Sequence, residues 1–229
     1  MIDIYNEMKL QKRLPQDSYE NPLAIAHGIN PRHWISEKAK AYSYFTNGFP
    51  EDFDKLEVEY HHPENGWLRT VFYKNGEKLL DVPLNDWNDP LVSIVDWLEE
   101  LIEEHEDLND KNLHIDCDLG LHFVLHYEPL NARNVEYGIL FIYGSWTEDY
   151  EESCFSVFCT KLDIVNAIYT PMIKHWMDLS EKFPRGHSED WHDWELSFKS
   201  IDCPEEMLQY IRRTSIESYL RMRFPTLKL

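Results

Sequence analysis

Histidines and carboxylates recur in this chain at spacings that could do chemistry. Leu113, Ile115 and Cys117 alternate with His114, Asp116 and Asp118, and Leu121, Phe123, Leu125 and Tyr127 alternate with His122, Val124 and His126. A period of two predicts strands over 113–118 and 121–127. They form a hairpin only if their apolar faces agree. A two-residue loop at Leu119-Gly120 would set Asp116 opposite Phe123 and mix the faces. A three-residue loop, Asp118-Leu119-Gly120, sets Ile115 opposite Phe123 and Asp116 opposite His122. It also puts Gly120 where a left-handed residue is wanted. The second register is the expectation. Its polar face gathers His114, Asp116, His122 and His126. On a strand, His122 and His126 lie about 13 Å apart, at roughly 3.3 Å per residue, too far for one ion to take both. His114, Asp116 and His122 are the one compact trio, of ligand types that suit zinc or another divalent ion. A polar face that meets solvent or a covering helix is the commoner use of such residues. No bound metal and no cofactor are therefore expected.

The second constellation is acidic. Asp96, Glu99, Glu100, Glu103 and Glu104 fall on one side of a predicted helix over 90–105. Asp96/Glu100, Glu99/Glu103 and Glu100/Glu104 are like charges four residues apart, and each such pair costs about 0.2–0.5 kcal/mol of helix stability. Folding alone does not favour that arrangement over mixed charge, whereas a basic partner would account for it. The five residues are the candidate partner-binding set. The plainer alternative is a solvated face in an acidic protein.

A third stretch, Gly186-His187-Ser188-Glu189-Asp190-Trp191-His192-Asp193-Trp194, mixes ligand types with two tryptophans on an expected loop. Its spacing matches no metal signature, and a turn anchored by Trp191 or Trp194 is the expectation. The cysteines Cys117, Cys154, Cys159 and Cys203 contain no CxxC pair. Cys154 and Cys159 are an odd number of positions apart in an expected strand, so they point to opposite faces and cannot bond there. They read as small buried apolar residues. A Cys–His pair is chemically conceivable, but the local sequence does not favour it. A G-x-S-x-G elbow, a P-loop and a dinucleotide fingerprint are all missing.

These residues need elements to position them. Strands are expected at 56–61, 67–73 and 78–82, with Asn75-Gly76 as a type I′ hairpin turn because both residues tolerate positive φ. Asp89 is expected to cap the helix that Pro90 opens. Leu91, Ile94, Val95, Leu98, Leu101 and Ile102 form its apolar face. Strands at 135–143 and 154–159 follow. The first carries Ile139, Leu140, Phe141 and Ile142 and should be central, buried on both sides. Thr160 with Asp163 resembles a capping box for a helix that Pro171 should kink. A last strand over 194–199 and one final helix from Pro204 complete the chain. Arg212, Arg213, Arg221 and Arg223 lie toward the end of that helix, where they suit its dipole and can also pair with acidic surface inside the molecule. Strands in meander order interrupted by long helices indicate an α+β fold: a mostly antiparallel sheet with two or three long helices packed against it. Residues 1–50 hold Asn21-Pro22 and Asn30-Pro31, with a helix possible over 34–45. They read as an N-terminal arm packed on a single α+β domain at 51–229.

Composition bounds the function. The chain has 229 residues, 43% of them hydrophobic, and a formal net charge of -20. That charge repels phosphate backbones and anionic lipids, so neither nucleic acid nor a membrane is an expected partner. The start has charges throughout and no apolar signal region, and no run reaches the ~18 residues of a membrane span, so the expected location is cytoplasmic. The leading expectation is a non-enzymatic acidic binding protein that sequesters or neutralises a basic protein, in the manner of a toxin-immunity protein covering a cationic cleft. The alternatives are a metal-dependent hydrolase with a His/Asp site on the sheet face, or a structural or regulatory subunit of an assembly.

Overall fold

In a computed structural model, the structure describes residues 53–63, 66–85, 89–103, 111–117, 122–131, 134–146, 151–184 and 203–227. The expected arm at 1–50, the loop at 186–194, the strand at 194–199, the Gly120 turn and Glu104 lie outside these residues. The order is β1 (Leu56–Tyr60), β2 (Trp67–Lys74), β3 (Glu77–Asn85), α1 (Pro90–Ile102), β4 (Lys111–Asp116), β5 (His122–Asn131), β6 (Asn134–Trp146), β7 (Glu151–Thr160), α2 (Lys161–Lys182), α3 (Pro204–Ile211) and α4 (Thr214–Arg223).

The fold is α+β, as the patterning implied. Its strands form two antiparallel sheets, ordered β1-β2-β3 and β4-β5-β6-β7. The β2–β3 hairpin turns on Asn75 and Gly76, both at positive φ (53° and 81°). Lys55 N–H donates to the Asn75 side chain at 2.8 Å, tying the turn to the start of β1. The sheets meet at that same point. Asp54 N–H donates to the Phe158 carbonyl on β7 at 2.8 Å, and Phe158 N–H donates back to the Asp54 carboxylate at 2.9 Å. Lys74 pairs with that carboxylate at 2.8 Å.

The first sheet is amphipathic in the simplest way. Leu56, Val58, Leu68, Phe72, Leu80, Val82 and Leu84 face the core. The opposite face carries charge, with Asp81 accepting from both Arg69 and Lys78. The second sheet sends Leu113, Ile115, Phe123, Leu125, Tyr127, Leu140, Ile142, Val157 and Cys159 into the same core. Strand β6 sits inside it and is buried on both faces, as its double apolar pattern predicts.

Helix α2 lies across β1 and along β6 and β7, while α1 packs on β4. A complete capping box at Thr160 and Asp163 starts α2 where the sequence places it, and the helix continues past Pro171. Two local expectations are corrected. Asp89 takes the left-handed conformation and makes no side-chain cap bond; its carbonyl instead accepts from Ser93 N–H at 3.0 Å. The single C-terminal helix is two helices. The backbone is extended at Arg212 and Arg213, and Arg213 N–H donates to the Tyr169 hydroxyl at 2.8 Å. That tertiary bond outcompetes continuation of the helix, which local propensity would have allowed.

Candidate functional site

The first candidate is the outward face of the second sheet. The pairing places Ile115 across from Phe123 and Asp116 across from His122, the register chosen from the apolar pattern. His114, His122 and His126 therefore share one face with Val124, Ile139, Phe141, Tyr143, Cys154 and Phe158. His114 Nε2 and His122 Nδ1 approach to 3.2 Å. His126 is 3% exposed; its Nδ1 meets the Asn112 side-chain oxygen and its ring packs on Phe141. The backbone register puts Asp116 on this face. Among the described residues, no group of three or more His, Cys, Asp or Glu side chains is placed to hold a metal ion.

This face differs from a solvated strand face. Ile139, Phe141 and Tyr143 are at most 1% exposed, although α1 to α4 pack on the opposite side of the sheet. That burial is what the apolar run Ile139–Ile142 predicts for a central strand.

The second candidate is the acidic side of α1. Asp96, Glu100 and Glu103 are exposed and Glu99 is half-buried. The Arg213 guanidinium reaches across from the α3–α4 junction, pairing with Asp96 at 2.8 Å and Glu99 at 3.0 Å. The Ser215 hydroxyl also donates to Glu99. The side chains are 56% exposed at Asp96, 30% at Glu99 and 23% at Arg213, so solvent screens the Asp96 contact more than the Glu99 contact. Part of the like-charge run thus has an intramolecular cation, which the sequence alone hides at a separation of more than a hundred residues. Arg212 and Arg221 flank a second carboxylate, the largely buried Glu217. Arg212, Arg213 and Arg221 thus pair within the molecule, one of the two roles the sequence allows the cluster.

A third histidine group escaped the sequence reading because its members are distant along the chain. His175 on α2 lies beside His62, with ring centroids 5.8 Å apart, and beside Tyr60 at 6.4 Å. Burial, and then the nearby His62, lower the His175 pKa to about 4. The imidazole is therefore neutral near pH 7. Histidine spacing was the only available signal: a His61-His62 pair just after β1 and a lone histidine on the helix that crosses it.

The cysteines are all buried. Cys154 and Cys159 point to opposite faces, as their odd spacing requires. Burial pushes the Cys159 thiol far above its usual range, which removes it as a nucleophile. Among the described residues, no helix is long and apolar enough to cross a membrane.

The class these features define is an α+β protein whose described residues form two antiparallel sheets with helices packed against them. No family model, curated protein or solved structure gives a significant match to the chain.

Proposed function

We propose that this is a non-enzymatic acidic binding protein that captures a basic protein partner, in the way a toxin-immunity protein does. The observation that carries the reading is the division of carboxylates on α1. Arg213 engages Asp96 and Glu99, while Glu100 and Glu103 stand exposed beyond that contact. Exposed like charges at helical spacing do not help α1 fold, and they project a negative field toward an approaching cation. The net charge of -20 supports the same sign of partner and disfavours nucleic acid. Within the set Asp96, Glu99, Glu100, Glu103 and Glu104, the docking edge is centred on Glu100, with Asp96 and the exposed Glu103 shared between partner and fold. The metal-dependent hydrolase is the weaker reading, since no three-ligand cluster is placed to hold an ion among the described residues.

The test is co-purification of a partner with the wild type, followed by binding kinetics of wild type and a Glu100→Gln/Glu103→Gln double variant. At low salt the double variant should associate several-fold more slowly with an almost unchanged off-rate. The difference should shrink as salt rises through physiological strength, where the Debye length is about 8 Å. An unchanged on-rate, or a partner with an acidic contact surface, overturns the proposal.

A further inference from the structure

We infer that His114 and His122 form a two-histidine site for a borderline divalent transition-metal ion, copper(II) most tightly and zinc(II) next. This lies beyond the proposed docking function and does not depend on it. The register sets His114 and His122 diagonally across the β4–β5 hairpin on one face. Strand pairing therefore fixes the spacing of both rings, rather than a loop.

The geometry of the two nitrogens carries the inference. His114 Nε2 and His122 Nδ1 are 3.2 Å apart, with ring centroids at 5.3 Å and planes 32° apart. The rings meet corner to corner rather than stacking. An ion about 2.0–2.1 Å from each nitrogen would subtend an angle of roughly 100°. That value falls between the square-planar right angle and the tetrahedral angle, so the nitrogen spacing is compatible with either coordination geometry. Both residues are half-buried. The same 3.2 Å separation also suits an N–H···N hydrogen bond in metal-free protein. Metal binding would replace that bond, as each ligand nitrogen must give up its proton.

Imidazole pairs select the ion. Copper(II), nickel(II) and zinc(II) favour aromatic nitrogen, with copper(II) at the top of the divalent order, whereas magnesium and calcium prefer oxygen. Asp116 shares the face by register, and the inference does not require it.

The test is calorimetric titration of chelator-treated full-length protein with copper(II), zinc(II) and magnesium salts. Wild type should bind one copper(II) or zinc(II) ion per chain and no magnesium. His114→Asn and His122→Asn should each weaken zinc(II) binding at least tenfold, while His62→Asn leaves it unchanged. Affinity should fall as pH is lowered, because protons compete for both nitrogens. Melting curves in metal-free buffer confirm that the variants fold, and His114→Gln substitutes for any variant that does not. No binding to wild type, or equal affinity in the two histidine variants and wild type, overturns the inference and leaves the pair as a hydrogen bond.

Discussion

The two candidate surfaces solve opposite electrostatic problems. On α1, like charges stand in solvent, and a single arginine from a distant segment engages two of them. On the outward face of the second sheet, imidazoles sit among side chains that are almost wholly buried. The first surface can act at a distance, because exposed charge projects a field through solvent. The second acts only on what touches it, because burial restricts contact and makes an unmatched charge costly. Residue type alone would have classed both as polar faces. Burial is what separates them.

The comparison breaks most sharply if the second sheet loses its packing. Gly138 on β6 lies under the Tyr127 ring, and a Cβ there would fall 2.6 Å from the Glu128 carbonyl oxygen. That oxygen is main chain and Tyr127 is fully buried, so neither moves cheaply. Gly138→Ala should therefore cost about 3 kcal/mol in urea unfolding, through overpacking. A loss well below 1 kcal/mol would mean that the sheet is more pliable than its burial implies.

Acid sharpens the comparison by separating the histidine groups. The folded pKa of His175 is about 4, below its ordinary 6.5. Between those values the unfolded chain binds more protons than the folded one, so stability falls as pH drops from about 6.5 toward 4. The expected loss is on the order of 2–3 kcal/mol. His175→Leu should flatten the stability profile across that window. An unchanged slope in that variant would mean that another group responds to pH.

Much of this was legible in the sequence, wherever local pattern and geometry agreed. The β4–β5 register followed from requiring Ile115 and Phe123 to share a face, and the Asn75-Gly76 turn from its need for positive φ. The Thr160–Asp163 box marked the start of α2. The failures came where a distant contact decided the outcome. At Arg212 and Arg213 the backbone is extended, and the Arg213 N–H donates to the Tyr169 hydroxyl from a different helix. Asp89 has the right side chain for a cap but adopts a left-handed backbone that Asp tolerates better than most residues. The division into two sheets was hidden for the same reason, since strand pattern specifies faces and not which edges remain unpaired.

The account rests most heavily on the division of α1 between fold and surface. The most direct test is urea unfolding of Glu99→Gln and Glu100→Gln, each in the wild type and in an Arg213→Met background. Glu99→Gln should cost about 1 kcal/mol, because it weakens a partly buried ion pair. That cost should largely vanish once Arg213 is gone, the signature of a direct coupling. Glu100→Gln should be neutral or stabilising by a few tenths of a kcal/mol in both backgrounds, because it relieves like-charge repulsion. Equal effects of the two substitutions, or a Glu99 cost that persists without Arg213, would contradict the account.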